Sequence, residues 1–264
     1  QNSGFGNTIN PLTSLADSDV YSIPMLVMVG WRGRPGVKDE PQHVKMGRIN
    51  EAMIQSLGYP YEILSLDLEE AKKQLDRAFE YMTKENAPYC LLVEKGTFES
   101  YKLQSAAKDT APMKREQAIE LLLAELSEDD IIVSTTGKTS REVFEVRVKR
   151  DEPHFRDFLT VGSMGHSSQI ALGIALNKPD KRVICLDGDG AFLMHMGSSA
   201  IIGDLAPANF KHIMINNGAH ESVGGQPTVG FKTDFGLIAK GCNYKEVFKC
   251  ETADEVRAAL PKFL

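Results

Sequence analysis

The chain has 264 residues, of which 42% are hydrophobic and 25% are charged, so it can form one large or two ordinary globular domains. Its formal net charge of −6 gives no overall attraction to nucleic acid or to an anionic membrane, and we expect neither as a partner. The absence of a signal peptide, of any apolar run near ~20 residues and of CxxC pairs favours a cytoplasmic protein with reduced thiols.

The first part of the chain alternates between strand-like and helix-like segments. Short apolar runs predict strands over residues 23–29, 61–66 and 89–94, and helical spacing of apolar residues predicts helices over 44–57 and 68–84. A strand–helix–strand–helix–strand order favours a parallel sheet covered by helices on both faces.

A polar stretch over residues 97–112, ending at Pro112, predicts a linker, and the alternation resumes beyond it. Strands are predicted over residues 131–134, 158–161, 183–186, 212–215 and 245–250. Helices are predicted over residues 114–126, 140–148, 167–176, 191–202, 235–240 and 253–260. The expected fold class is therefore α/β, with two domains that each contain a parallel sheet covered on both faces.

Residues 134–142, Ser-Thr-Thr-Gly-Lys-Thr-Ser-Arg-Glu, follow a predicted strand and lead into a predicted helix, as a nucleotide-binding P-loop does. The P-loop motif needs a glycine five positions before the glycine of Gly-Lys-Thr, and Ile132 stands there. A nucleotide site is therefore not expected. The amino end of the helix, together with Lys138, still favours binding of an anion.

Two polar motifs follow neighbouring predicted strands. Gly188-Asp189-Gly190 comes directly after one apolar strand, and Asn216-Asn217 ends the next. Parallel strands that neighbour each other end at the same edge of a sheet, where ligands bind in such folds. A carboxylate oxygen, an amide oxygen and a nearby backbone carbonyl form the ligand set that Mg²⁺ prefers, often together with phosphate. The pattern predicts a magnesium and phosphate site.

This pattern resembles the cofactor-binding motif of the thiamine-diphosphate-dependent decarboxylases. Residues 160–176 are similar to the segment before Gly-Asp-Gly in these enzymes, and residues 2–30 look like the second half of their pyrimidine-binding domain. Four stretches resemble most the branch of the family that acts on phosphonopyruvate and sulfopyruvate. They are residues 31–43, 135–142, 188–200 and 216–228.

The resemblance implies a domain plan and a reaction. Residues 1–96 would be the C-terminal part of a pyrimidine-binding domain, 97–112 a linker, and 113–264 a diphosphate-binding domain that lacks its C-terminal end. The implied cofactors are thiamine diphosphate and Mg²⁺. The implied reaction is decarboxylation of phosphonopyruvate to phosphonoacetaldehyde and CO₂, a step of phosphonate biosynthesis. Two alternatives stay open: sulfopyruvate as the substrate, and a cofactor-binding chain that is inactive without a partner.

The resemblance also implies roles for individual residues. Met164 matches the apolar residue that wedges under the cofactor and bends it. The implied metal ligands are Asp189, Asn217 and the backbone carbonyl of Ala219. The other implied cofactor contacts are Thr136, Gly137, Gly162, Ser163, Gly188, Gly190 and Ala191. Candidates for holding the anionic group of the substrate are Arg32, Arg34, His43, Lys138 and His220.

One expected part of the site has no match in the chain. The family activates its cofactor with a glutamate that lies before the matched part of the pyrimidine-binding domain, and no glutamate here matches it by motif. The active site in this family also forms between two subunits. A homodimer or larger assembly with its site at the interface is therefore expected.

Overall fold

The structure, a computed structural model, describes residues 1–101 and 111–264, so residues 102–110 of the predicted linker lie outside the described part. It divides into two compact units, Gln1–Leu103 and Gln104–Leu264. Among the described helices, none combines the length and the apolar character that crossing a membrane requires.

The first unit contains a small parallel sheet. It opens with short helical turns over Asn2–Thr8, α1 (Ile9–Pro11) and Leu12–Ala16. The elements that follow are β1 (Leu26–Gly30), α2 (Pro41–Ser56), β2 (Tyr61–Ile63), α3 (Leu68–Glu85) and β3 (Tyr89–Val93). The strands run parallel in the order β1-β3-β2, because helical crossovers place consecutive strands in the same direction.

The central strand β3 is buried on both of its faces. Cys90 and Leu92 pack on one side with Ile54 of α2, and Leu91 packs on the other side with Ala78 of α3. Side chains alternate between the faces of a strand, so a continuous apolar run is what a strand covered on both faces needs.

The second unit contains a larger parallel sheet. Its first elements are α4 (Arg115–Glu125), β4 (Ile131–Ser134), α5 (Lys138–Lys149), β5 (Asp157–Leu159), α6 (Ser167–Asn177) and β6 (Val183–Gly188). There follow α7 (Asp189–Met194), α8 (Ser198–Leu205), β7 (Phe210–Ile215), the short antiparallel pair β8 (Ala219–His220) and β9 (Gln226–Pro227), α9 (Phe235–Gly241) and α10 (Ala253–Phe263). The four main strands are parallel in the order β5-β4-β6-β7.

Helices cover both faces of this second sheet as well. Ile132 and Ile184 point to the face where α4, α5 and α10 pack, and Val133 and Cys185 point to the face where Ala171 of α6 packs. The predicted α/β fold class, with parallel sheets covered on both faces, is confirmed.

The predicted helix over residues 191–202 is wrong, because the structure breaks it in two. α7 ends at Met194 and α8 begins at Ser198. Between them the ring of His195 packs on the loop that precedes α6: a Cβ added to Gly165 would lie 2.5 Å from His195 Cδ2. This contact with a distant loop holds His195 in a non-helical conformation, and Gly197, whose backbone is right-handed, precedes the first residue of α8.

The predicted strand over residues 245–250 is also wrong, since the structure assigns no strand to these described residues. Val247, Phe248 and Cys250 give this stretch the apolar content of a partly buried strand. A strand also needs a neighbouring chain to pair with, and the described sheet ends at β7.

Candidate functional site

A pocket lies where β4, β6 and β7 end in the second unit. These strands are neighbours and run parallel, with Ser134 paired to Leu186 and Gly188 paired to Ile215, so their carboxyl ends meet at one edge of the sheet. Ten residues predicted for the site line this pocket: Thr136, Lys138, Met164, Gly188, Asp189, Gly190, Ala191, Asn217, Ala219 and His220.

The other predicted residues lie elsewhere. Gly137 is next to the pocket, where its backbone meets Ser222: a Cβ on Gly137 would lie 2.9 Å from Ser222 Oγ. Gly162 and Ser163 belong to the loop before α6 and do not line the pocket. Ser163 has a positive φ of 52°, which marks a tight turn in this loop.

Arg32, Arg34 and His43 are in the first unit, where contacts within that unit engage all three. Arg32 forms two hydrogen bonds to Asp39, one of them from Nε at 2.8 Å, and this holds the pKa of that carboxyl below its usual range. Arg34 pairs with Glu94 at 2.9 Å. His43 Nδ1 lies 3.3 Å from Ser3 Oγ. Contacts within the first unit are thus enough to explain the positions of these three side chains, with no need for a bound substrate.

Asp189 is the most buried charged group of the pocket, with 2% of its surface exposed. Its Oδ2 accepts a short hydrogen bond from the hydroxyl of Thr228, and no ion pair joins it to any described cation. A buried carboxylate is normally paired with a cation or bound to a metal. The side chain therefore fits a metal ligand, and its hard oxygen suits Mg²⁺.

The orientation of the Asn217 side-chain amide is fixed from both ends. Its Oδ1 accepts from the backbone N–H of Ala219 at 3.2 Å, and its Nδ2 donates to Glu221 Oε2 at 3.3 Å. Asp189, Asn217 and Ala219 line the same pocket, which brings a carboxylate, an amide oxygen and a backbone segment together. The donor set fits a magnesium ion bound to a phosphate group.

One wall of the pocket, at the start of α5, carries hydroxyl groups. Thr135, Thr136 and Thr139 line it. Thr135 Oγ1 is buried and has no hydrogen-bond partner among the described residues, so it can donate to a bound group. Helix α5 has 12 residues and begins at this wall, and the amino end of a helix favours phosphate.

Two cations at the pocket share one carboxylate. Lys138 Nζ lies 2.6 Å from Glu221 Oε1, and Arg115 NH1 lies 2.6 Å from Glu221 Oε2. Arg115 is itself held by two hydrogen bonds to Glu142, at 2.7 and 2.6 Å. The hydrogen bonds from Lys138 and then Arg115 lower the pKa of Glu221.

Sequence reasoning missed six residues of the pocket lining: Arg115, Thr135, Thr139, Ile215, Glu221 and Ser222. Thr135 and Ile215 could have been found, because each sits at the end of a predicted strand that leads to the site. Arg115 could not, since its partner Glu221 is 106 positions away in the sequence.

Met164 lines the pocket, and the loop that carries it packs on the ring of His195. The rings of His166 and His195 have centroids 4.5 Å apart, and Gly165 lies against His195 with a positive φ of 89°. A side chain at position 165 would collide with His195. This contact holds the backbone next to Met164 and places its side chain at the pocket.

Beneath the Gly188-Asp189-Gly190 turn lies a buried polar cluster that sequence reasoning also missed. Cys185 Sγ, a carboxylate oxygen of Asp187 and a ring nitrogen of His212 all lie within 4.8 Å of one another. His212 Nδ1 is 3.0 Å from the hydroxyl of Tyr244. Burial, followed by the charge of Asp187, raises the pKa of Cys185 well above its ordinary value. The cluster supports the turn from below.

The chain is similar in sequence to known proteins. Residues 135–264 match the family described as "Thiamine pyrophosphate enzyme, C-terminal TPP binding domain". The chain is 37% identical to phosphonopyruvate decarboxylase of Streptomyces viridochromogenes over 275 residues, which cover 98% of this chain and 67% of the relative. It is 28% identical to sulfopyruvate decarboxylase of Methanosarcina acetivorans, over 100% of this chain and 71% of that one. It is 42% identical to the beta subunit of sulfopyruvate decarboxylase of Methanocaldococcus jannaschii, over 49% of this chain and 66% of the subunit.

Proposed function

This chain belongs to the family of thiamine-diphosphate-dependent 2-keto acid decarboxylases that includes phosphonopyruvate decarboxylase, and we propose that its substrate is phosphonopyruvate. The proposed products are phosphonoacetaldehyde and CO₂, in a step of phosphonate biosynthesis. The observation that carries the proposal is one pocket that combines Met164, Asp189, Asn217 and Ala219, in a chain whose similarity to phosphonopyruvate decarboxylase extends over almost its whole length.

The proposed domain roles follow from the position of the pocket. The second unit would bind the diphosphate and Mg²⁺, and the first unit would be the C-terminal part of the pyrimidine-binding domain. We place the domains at residues 1–96 and 113–264, joined by the linker 97–112. We also propose that the protein forms the homodimer or larger assembly expected in this family. An activating glutamate is part of the same proposal, and no motif in this chain matches it.

Asp189, Asn217 and the carbonyl of Ala219 would hold Mg²⁺, and Thr136 and the start of α5 would bind the diphosphate. Met164 would fix the bent shape of the cofactor by contact from below, which is a positioning role. When bound, thiamine diphosphate supplies a carbon nucleophile for the keto group and accepts the electrons released as CO₂ leaves. The chain's own residues would position the reactants and supply charges, and Gly190 and Ala191 would contact the cofactor from the pocket lining.

The substrate proposed here is an anion at both ends. A phosphonate needs cations or N–H donors, and Lys138, His220 and Arg115 are the basic side chains of the pocket. Sulfopyruvate has the same carbon skeleton with a less highly charged head group, and it is the second candidate substrate. The similarity to two sulfopyruvate decarboxylase proteins supports it, although the one match that covers this whole chain has 28% identity, below the 37% of the phosphonopyruvate enzyme.

A chain that binds the cofactor but needs a second polypeptide for activity is a further candidate. The match to a relative named as a beta subunit supports it, because that protein is one part of a sulfopyruvate decarboxylase. A single polypeptide that turns over substrate without a partner would exclude this candidate.

The deciding experiment follows ³¹P NMR signals of phosphonopyruvate mixed with full-length protein, thiamine diphosphate and Mg²⁺, beside a CO₂ assay with sulfopyruvate. We expect phosphonoacetaldehyde to appear and kcat/KM for phosphonopyruvate to exceed that for sulfopyruvate by about tenfold or more. Turnover of sulfopyruvate alone would assign the sibling activity instead. Inactivity on both acids would contradict the proposed substrate class.

A further inference from the structure

Glu221 is in contact with a predicted metal ligand and with both cations of the pocket. Its Oε2 accepts from Asn217 Nδ2 at 3.3 Å and from Arg115 at 2.6 Å, and its Oε1 accepts from Lys138 at 2.6 Å. We propose that Glu221 is a positioning residue that sets the orientation of the Asn217 amide, so that the amide oxygen faces the metal. This inference rests on the metal site of the proposed function and adds a residue to it.

The orientation of an amide decides whether it can bind a metal at all. An asparagine side chain has one acceptor oxygen and one nitrogen with two donors, and only the oxygen can bind Mg²⁺. Rotating the amide by half a turn would place the Asn217 NH₂ against the N–H of Ala219 and the amide oxygen against the carboxylate of Glu221. Both contacts would be repulsive, so the two neighbours act together in favour of one orientation.

The carboxylate of Glu221 is itself held in place. Arg115 is fixed by its paired hydrogen bonds to Glu142, and its remaining NH1 group points at Glu221. The side chains of Arg115 and Glu142 are only 14% and 18% exposed, so solvent screens this pair less than a surface pair. Lys138 holds the other oxygen from the start of α5. The carboxylate therefore connects the loop after β7 to the beginnings of α4 and α5.

This arrangement has the form of an outer-shell interaction in metal sites. Groups that hydrogen-bond to a metal ligand fix its orientation, and changing them typically lowers metal affinity 10- to 100-fold. Glu221→Gln keeps the shape of the side chain but removes the charge that excludes the wrong amide orientation. We expect the half-saturating concentration of metal, at saturating thiamine diphosphate, to rise by about 10-fold or more.

A substitution at Asn217 separates this role from a general structural one. In Asn217→Asp, both terminal atoms of the side chain are oxygens, so its orientation no longer matters for metal binding. Glu221→Gln should then cause no loss of metal affinity in the Asn217→Asp background, because it also removes the repulsion between the two carboxylates. A structural role for Glu221 would give the same loss in both backgrounds, because the ion pairs to Lys138 and Arg115 are broken in each.

The measurement is a Mn²⁺ titration followed by electron paramagnetic resonance of the free ion, with full-length protein and saturating thiamine diphosphate. It reports metal binding directly and needs no turnover. The matched control is Glu120→Gln, which breaks an exposed 2.9 Å pair with Lys149 that also joins α4 to α5, away from the pocket. We expect this control to bind Mn²⁺ like the wild type.

Failure of the positioning role and failure of the metal site give different results. If the wild type binds Mn²⁺ and Asp189→Asn abolishes binding, but Glu221→Gln matches the wild type, the metal site stands and the positioning role is overturned. A loss in Glu221→Gln that persists unchanged with Asn217→Asp would also overturn it. If the wild type with thiamine diphosphate fails to bind Mn²⁺, the proposed metal site itself is wrong.

Discussion

Asp187 and His212 face each other across the neighbouring strands β6 and β7, with 3.5 Å between Asp187 Oδ2 and His212 Nε2. The other carboxylate oxygen, Oδ1, accepts from the backbone N–H of Gly188 at 2.9 Å. Both side chains are almost fully buried, and Tyr244 holds the far side of the ring. The turn that carries Asp189 is thus supported by a polar contact on the face of the sheet where α6 packs.

We expect Asp187→Asn to weaken both the fold and the cofactor site. An amide has one acceptor, so it can accept from Gly188 or face the histidine as an acceptor, but not both. A buried polar group left without its partner costs about 1–3 kcal/mol, and we expect the free energy of unfolding to fall by that order. Urea unfolding and the affinity for thiamine diphosphate measure the two effects. The exposed Asp180→Asn should change neither, and an unchanged Asp187→Asn variant would show that the contact is unimportant.

Gly190→Ala is expected to impair the site more than the fold. A Cβ at this position would lie 2.7 Å from His220 Nδ1, so the imidazole ring must move away from its place in the pocket. Because the collision is with a movable side chain, we expect a drop in kcat/KM of about tenfold with a small change in stability.

The control for that variant is Gly173→Ala, on the exposed side of α6, where a Cβ would meet nothing within 4 Å. Alanine is favoured over glycine inside a helix by roughly 0.5–1 kcal/mol, so this change should raise the melting temperature slightly and leave kcat/KM unchanged. Equal activity in both variants would mean that the position of His220 is irrelevant to turnover.

The stability of the first unit should depend on pH through Glu62. Hydrogen bonds from Arg77, with smaller contributions from Tyr89 and Gln74, lower the pKa of Glu62 from 4.5 to about 2. The stabilisation is present above pH 4.5 and is lost as the pH falls through about 2. Solvent screening reduces it to the order of 1 kcal/mol.

Trp31, the one tryptophan of the chain, is buried in the first unit and reports its unfolding by fluorescence. The urea midpoints of the wild type and of Glu62→Gln should differ at pH 7, and the difference should shrink between pH 4.5 and pH 2. A difference that stays constant over this range would contradict the ion-pair explanation. The exposed Glu80→Gln is the matched control.

The four free thiols should divide into two classes of reactivity. Cys90 and Cys185 are fully buried, and burial raises the pKa of Cys90 to about 11. Cys242 and Cys250 are partly exposed. The thiolate is the reactive form, so a disulfide reagent should modify the second pair first and the buried pair only on unfolding. Fast modification of all four in the folded protein would contradict the described burial.

Elements with local start and stop signals were predictable from the sequence. Helix α3 was expected over residues 68–84 and spans Leu68–Glu85, because Asp67 caps its first turn at 2.9 Å from Glu70 N and Asn86 ends it in the left-handed conformation. Strand β4 was expected over residues 131–134 and has those bounds. The bounds of both elements depend on residues that lie close to each other in the sequence.

Features that depend on distant contacts were not predictable. The break after Met194 comes from the packing of His195 on Gly165, 30 positions earlier, and no periodicity contains that information. The candidate site also combines predictable and unpredictable features. Strand order explains why the motifs at residues 188–190 and 216–217 line one pocket, whereas the contact of Arg115 with Glu221 exists only in the folded chain.

The most direct test of the account is the equilibrium binding of thiamine diphosphate to full-length protein, measured by calorimetry with and without Mg²⁺, for the wild type and for Asp189→Asn. We expect binding that requires the metal and that weakens by more than about 100-fold in the variant, beyond the loss typical of outer-shell changes. Binding that is equally tight without Mg²⁺, or that is unchanged in Asp189→Asn, would contradict the assignment of this pocket.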